Sequence, residues 1–219
     1  MSPSSGRSIR SGQRGREVLD AAAAVFAHRG YEATSLDDIA DALGATKGLI
    51  YHHYRSKEDL LLGVLVTGAE TLTAAVQPIA EGAEEPVPRL RAMAREHARL
   101  TMVDLDYQRT AFRALPQHIF VAERSTDDRW NRLRELRGDY EELFLRVIEE
   151  IQRGTGAEVS ADPKTLTRAT LGTLNWVNVW FRAEREPDVE RLADQLADFV
   201  VSGVVAAAGA QAIGLAQTS

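Results

Sequence analysis

The sequence predicts an all-α protein, with a small three-helix head at the N-terminus and a larger helical domain behind it. Three observations carry this. Apolar residues recur at spacings of three and four, and no segment sustains the alternation of a half-buried strand. Capping residues and glycines punctuate the chain at helix-length intervals. At 219 residues and 44% hydrophobic content, the chain is long enough for one sizeable domain or two small ones. It has no cysteine, which removes disulfide and thiolate chemistry and fits a reducing cytoplasm.

In chain order, residues 1–12 are rich in Ser, Gly and Arg without an apolar run, so we expect a disordered basic arm and neither a signal peptide nor a membrane anchor. Arg7, Arg10, Arg14 and Arg16 give it a cationic character suited to a DNA backbone or minor groove, although a loosely solvated tail explains Arg7 and Arg10 equally well. Residues 13–60 form the expected head. Ser35 and Asp38 make a capping box that starts a helix at Leu36, with Ile39, Ala40 and Leu43 on its inner face. Gly44 ends that helix in a left-handed turn, and Thr46 is placed to cap the next. Ile50 and Tyr54, four apart, form the buried side of this second helix.

That leaves Lys47, Gly48, Leu49, Tyr51 and His52 facing outward. A cation, a phenol and an imidazole on one helix face, beside a glycine that permits close approach, suit insertion into a DNA major groove. Ser56 and Asp59 form a second capping box, so a third helix begins beside Lys57, where amide dipoles and the ammonium could hold a phosphate. Taken singly, the Tyr51 to Tyr54 aromatics could equally be packing between helices; it is their joint register with two capping boxes that points to DNA.

Beyond Leu60 the pattern predicts a helix to Gln77 ended by Pro78, a linker over Glu81–Pro88, and helices over 88–106, 109–120, 126–153, 162–185 and 188–208. Asp162 and Asp188 are natural caps, and residues 209–219 form a frayed tail. Residues 61–208 thus make one larger helical domain, the expected place for effector binding and dimerisation if the head binds DNA as a pair. Leu166, Ala169, Thr173, Leu174 and Val177 line one long helix, and Leu192, Leu196, Phe199, Val200 and Gly203 line the next. We expect this pair to bury its stripe against a second copy; the alternative is burial within one subunit. Trp176 and Trp180 share a helix face, and two indoles at that spacing are more often core than binding site. Should they line a site, His97, Phe112, His118 and Phe144 are the groups they would face around an apolar ligand.

The net charge of −6 argues at first against a polyanionic partner. Residues 1–57, however, hold eight Lys or Arg against six acids, and the remainder holds 18 against 26. Local potential is what counts, since screening acts beyond roughly 8 to 10 Å at physiological ionic strength. No nucleophile, metal-ligand or phosphate-loop motif is present, so we expect no enzyme, no metal and no cofactor.

The segments Val18-Leu-Asp-Ala-Ala, Phe26-Ala-His-Arg-Gly-Tyr, Thr34-Ser-Leu-Asp-Asp-Ile-Ala and Lys47-Gly-Leu-Ile-Tyr-His-His-Tyr-Arg-Ser-Lys-Glu-Asp-Leu resemble the DNA-binding domain of TetR-family transcriptional regulators. The resemblance covers roughly residues 14–62. It implies that Thr34, Thr46, Lys47, Tyr51, His52 and Lys57, with Ser35 and Gly48 beside them, meet double-stranded DNA. Leu49 stands where many members carry Thr or Ser, and would meet a thymine methyl instead. It also implies a homodimer joined through its last two long helices, and an operator released when a small molecule binds the larger domain. The Asn175-Trp…Trp-Phe-Arg182 helix resembles, less specifically, members that respond to acyl-coenzyme A thioesters, in which case Trp176 and Trp180 would line an acyl tunnel and Arg113, Arg182 or Arg185 would meet phosphates. The rival expectation is a homodimeric helical scaffold that binds no DNA. Neither reading places the chain in a membrane.

Overall fold

The computed structural model describes residues 4–124, 128–155 and 161–209, with side chains throughout except at 4–11, 115–124, 155 and 209. Ten helices and no strand occur among the described residues: α1 (Ser4–Arg29), α2 (Leu36–Leu43), α3 (Lys47–His53), α4 (Lys57–Ala80), α5 (Pro86–Val103), α6 (Leu105–Arg124), α7 (Asp128–Thr155), α8 (Pro163–Asn175), α9 (Val177–Trp180) and α10 (Val189–Gly209). The chain forms two compact units, one of Met1–Glu70 with Asp104–Glu135 and the other of Thr71–Val103 with Leu136–Ser219. Residues 104–135 therefore join the head, where the sequence led us to expect a boundary after residue 60.

In the first unit α1 packs on α2 and α6. Its core is Val18, Ala22, Phe26, Ile39, Ile50, Leu61, Leu65 and Trp130, each at most 2% exposed. Helix α6 also holds α1 by polar contacts: Tyr107 Oη donates to Asp20 (2.7 Å), Thr110 Oγ1 to the Ala23 carbonyl (3.1 Å) and Arg113 to the Ala27 carbonyl (2.6 Å). Helix α4 is long and apolar enough to cross a membrane by composition alone, but Leu60, Leu61, Leu62, Val64 and Leu65 are buried, as in a core helix.

Several boundaries differ from the sequence reading for local reasons. Helix α1 starts at Ser4, so 4–12 are helical where a disordered arm was expected; after Pro3 no proline interrupts a run in which Arg and Gln favour helix. Pro78 lies inside α4, which continues to Ala80, because a proline near the last turn removes only one ladder bond. Pro86 and Pro88 open α5, where a missing N–H costs nothing. The tail 210–219 lies outside the described residues.

In the second unit α5 packs against α10 along Leu90, Met93, Ala94 and Ala98 from the first and Ala193, Ala197, Val200, Val204 and Ala208 from the second. An antiparallel charge ladder flanks this seam. Arg91 bonds Asp194 (2.9 Å) and Asp198 (2.6 Å), and Arg95 bonds Asp194 (3.2 Å) and Glu190 (2.5 Å). These groups are about half exposed, so their contribution is modest and screened by salt. Changing both Arg91 and Arg95 to Ala should lower Tm by about 2–4 °C at low ionic strength and by much less in molar salt, which calorimetry at two salt concentrations would read.

The expected helix over 162–185 is broken. Asp162 caps α8 by accepting from Thr165 N (2.9 Å), as the sequence implied. The helix then ends at Asn175, the next bond tightens to Val179 N on the Trp176 carbonyl (3.0 Å), and Phe181 turns extended. Asn178 Nδ2 takes the freed Asn175 carbonyl (3.1 Å). Thr173, Asn175, Val177, Asn178 and Val179 are weak helix formers, and an asparagine amide that competes for backbone groups favours such a break.

Candidate nucleic-acid interface

The α2–α3 pair is built by local bonding. Ser35 Oγ accepts from Asp38 N (3.1 Å) and the Asp38 carboxylate accepts from Ser35 N (2.8 Å), so the expected capping box is complete. Gly44 adopts φ 63°, and Ala45 N returns to the Ala40 carbonyl (2.9 Å), closing α2 with a reversal that a side chain would strain. Ile50 is fully buried and Tyr54 half-buried, its phenol pushed up to about 12 by burial and by Asp59.

The face of α3 opposite Ile50 is exposed. Thr46, Lys47, Gly48, Tyr51 and His52 all lie on the surface, with Tyr51 51% exposed. Lys47 Nζ is bonded to Asp37 on α2 at 2.8 Å, a pair that is itself solvated. Thr46 makes no capping bond with its side chain, which leaves that hydroxyl exposed beside Lys47.

Three residues expected to face DNA have other surroundings. Thr34 is 3% exposed and its Oγ1 donates to the Gly30 carbonyl (2.7 Å). Gly30, at φ 84°, makes the turn in which this occurs. Lys57 Nζ donates to the Tyr31 and Thr34 carbonyls (3.0 Å each) and lies 4.3 Å from the centroid of the Tyr31 ring. It latches the start of α4 onto the α1–α2 turn. Leu49 is half-buried against the head core, because on so short a helix its side chain reaches the apolar seam. The second capping box is displaced by one residue: Ser56 Oγ accepts from Asp59 N (3.0 Å), but the Asp59 carboxylate accepts from Arg55 N (2.8 Å).

The Asp38 carboxyl is held below the usual aspartate range by hydrogen bonds from the Ser35 side chain and backbone, aided by Arg29. Arg29 bonds it at 2.6 Å. A depressed folded-state value means this bonding stabilises fully above the unfolded-state pKa, about 3.9, and is lost as pH falls through the lower folded-state value. Asp38→Asn should therefore flatten the acid limb of the head's stability curve, read as the difference between two pH titrations of urea midpoints.

The other sequence-selected groups divide between the units. Phe112 and Arg113 belong to the first, where Arg113 borders an open cleft of about 360 Å³ with Phe26, Tyr31 and Glu32. His97, Phe144, Trp176 and Trp180 belong to the second. His97 and Phe144 are buried, with ring centroids 6.3 Å apart. Trp176 and Trp180, expected to face them, are 56% and 40% exposed, because the break after Asn175 redirects the chain. The side chain of His118 lies outside those described. Sequence reading missed Tyr140, whose Oη lies 2.8 Å from His97 Nδ1 across 43 residues; no local pattern marks such a pair.

The stripe expected to face a second copy also divides. Leu174, Val177 and Val200 are buried within the unit, at no more than 5% exposure. Phe199 is 68% exposed; Ala169 and Gly203 are exposed too, and Leu166, Thr173, Leu192 and Leu196 are partly so.

Two family models match the chain: the bacterial regulatory proteins of the tetR family over residues 18–64, and the Tetracyclin repressor-like C-terminal domain over 83–204. The HTH-type transcriptional repressor KstR2 of Rhodococcus jostii is 30% identical over 198 residues, covering 89% of this chain and 93% of its own. Its counterpart in Mycolicibacterium smegmatis is 27% identical over 200 residues, covering 88% and 91%. Among solved structures, AibR in complex with isovaleryl coenzyme A and operator DNA superposes with a TM-score of 0.69 at 27% identity, covering 87% of this chain and 97% of that one. The ketosteroid regulator KstR2 of Mycobacterium tuberculosis gives 0.75 at 23% identity, covering 87% and 94%, a likeness of fold.

Proposed function

We propose, from the premise that this chain belongs to the tetR family of bacterial regulatory proteins and is a DNA-binding transcriptional regulator, that it is a homodimeric repressor released from its operator by a small apolar effector. The observation that carries the DNA-binding surface is the exposed α3 face. Thr46, Lys47, Gly48, Tyr51 and His52 stand clear of the head core on a helix short enough to enter a major groove end-on, and Ser35 stands exposed beside α2. Lys47 would exchange its solvated bond to Asp37 for a phosphate or a guanine edge. Thr34 and Lys57 act beneath this surface, fixing the turn that aims α2.

Two copies would meet through the exposed and partly exposed residues of α8 and α10: Leu166, Ala169, Thr173, Leu192, Leu196, Phe199 and Gly203. A two-fold axis there lets a pair of α3 helices address half-sites one or more DNA turns apart. An acyl-coenzyme A thioester is the effector class we favour, on the likeness to AibR, whose structure holds isovaleryl coenzyme A with operator DNA. Repression follows the KstR2 relatives, which are repressors. By linkage, an effector that prefers the DNA-free form lowers operator affinity by the same factor that DNA lowers effector affinity, typically 1–3 kcal/mol.

The experiment is a footprint on the DNA upstream of the chain's own gene, repeated with a series of acyl-coenzyme A thioesters. A protected, dyad-symmetric site cleared by at least one thioester is the expected result. No protected site would defeat the DNA-binding assignment, and protection untouched by every thioester would defeat the effector class.

A further inference from the structure

We propose that the cleft of about 360 Å³ in the first unit binds a small zwitterion, an α-amino acid with an apolar side chain, whose carboxylate meets Arg113 and whose ammonium meets Glu32. The turn after α1 forms one wall and Thr110, Arg113 and Ala114 of α6 form the other, so every group in the lining belongs to one compact unit. The volume lies at the low end for small-molecule sites, which suits an amino acid and is small for an acyl-coenzyme A. Nothing in this cleft depends on the α3 face or on the effector class favoured above.

The charges in the lining decide the ligand. They are those of Arg29, Glu32 and Arg113. Arg29 is answered by Asp38 at 2.6 Å. Arg113 donates one N–H to the Ala27 carbonyl (2.6 Å), a neutral acceptor, so its charge is not neutralised among the described residues. Glu32 accepts from Lys57 through its backbone carbonyl (3.5 Å), while its carboxylate has no hydrogen bond or ion pair among those residues. A guanidinium and a carboxylate thus share one cleft without meeting each other. A lone anion would gain Arg113 and be repelled by Glu32, and a lone cation the reverse; a zwitterion answers both and leaves the summed charge unchanged. Thr110 adds an acceptor, since its hydroxyl hydrogen is committed to the Ala23 carbonyl (3.1 Å) and its oxygen is left to accept, as an ammonium requires.

The rest of the lining is apolar. The rings of Phe26 and Tyr31, with centroids 5.5 Å apart, and the methyls of Ala33 and Ala114 would receive the side chain of the amino acid. The turn that forms this wall is the one to which Lys57 is latched, through the Tyr31 and Thr34 carbonyls at 3.0 Å each. A ligand bridging Arg113 and Glu32 would tie α6 to that turn and give the head a small-molecule input of its own.

Titration calorimetry on the full chain with L-phenylalanine and L-leucine, against 3-phenylpropanoate and phenethylamine, which each keep one charge of the pair, tests this. Wild type should bind L-phenylalanine about tenfold more tightly than either single ion. Glu32→Gln should bind L-phenylalanine and 3-phenylpropanoate alike, with an unmoved Tm, because Glu32 is exposed. Arg113→Gln, whose amide can still donate to the Ala27 carbonyl, should bind L-phenylalanine and phenethylamine alike. Failure of wild type to bind either amino acid, equal binding of the three phenyl compounds, or an undiminished preference in Glu32→Gln would overturn the site. None of these outcomes touches the operator or the thioester, which the footprint reads separately.

Discussion

Replacing Lys47 and Tyr51 together with alanine is expected to weaken binding to the upstream DNA about a hundredfold with almost no change in thermal stability. Both side chains are exposed, and the bond of Lys47 to Asp37 is a solvated ion pair of the kind that contributes little to folding. In a groove the same groups would each supply a contact, at about 1–3 kcal/mol for a base edge. The salt dependence of binding should flatten by about one unit of slope, since one phosphate-neutralising cation is gone. Asp37→Asn should act oppositely, freeing Lys47 and removing an acid from the approach path, so that affinity rises a few-fold. Gel shifts over a salt series measure all three; unchanged affinity in the double variant would show that α3 does not face the groove.

Phe26→Ala is expected to cost about 3–5 kcal/mol and to abolish operator binding at 37 °C. The ring is 1% exposed at the centre of the head core and lies 5.5 Å from that of Tyr31. Tyr31 in turn offers its carbonyl and its ring face to Lys57, so the cavity would loosen the latch that joins the α1–α2 turn to α4. Urea unfolding followed by circular dichroism reads the loss, and a cost below about 1 kcal/mol would mean that the head is not packed around this ring.

What the sequence disclosed, and what it hid, follows the range of the forces involved. The helix starts at Leu36 and Pro163 were readable because their caps are bonded within three residues. Ile50 was readable because a four-residue spacing decides which side of a short helix is apolar. The bonds of Lys57 were not, since a lysine ammonium announces a phosphate as readily as the carbonyls of a turn 23 and 26 residues away in sequence, and the Thr34 hydroxyl, though bonded only four residues back to Gly30, carries no pattern that separates the two partners. The long helix expected through Trp180 failed for a subtler reason: its apolar periodicity is intact, but asparagines and β-branched residues compete for its backbone bonds. Three of the ten residues of the expected dimer stripe went inward: Leu174 and Val177 at the end of α8 and in α9, and Val200 on α10, where only packing against α5 distinguishes it from Phe199.

The break after Asn175 leaves Trp176 and Trp180 56% and 40% exposed, whereas Trp130, the chain's third tryptophan, is 2% exposed in the head. Excited indoles should consequently emit as two populations. A blue component that iodide cannot quench would belong to the head, and a red, quenchable one to the other unit, so fluorescence gives each unit its own colour without an attached dye.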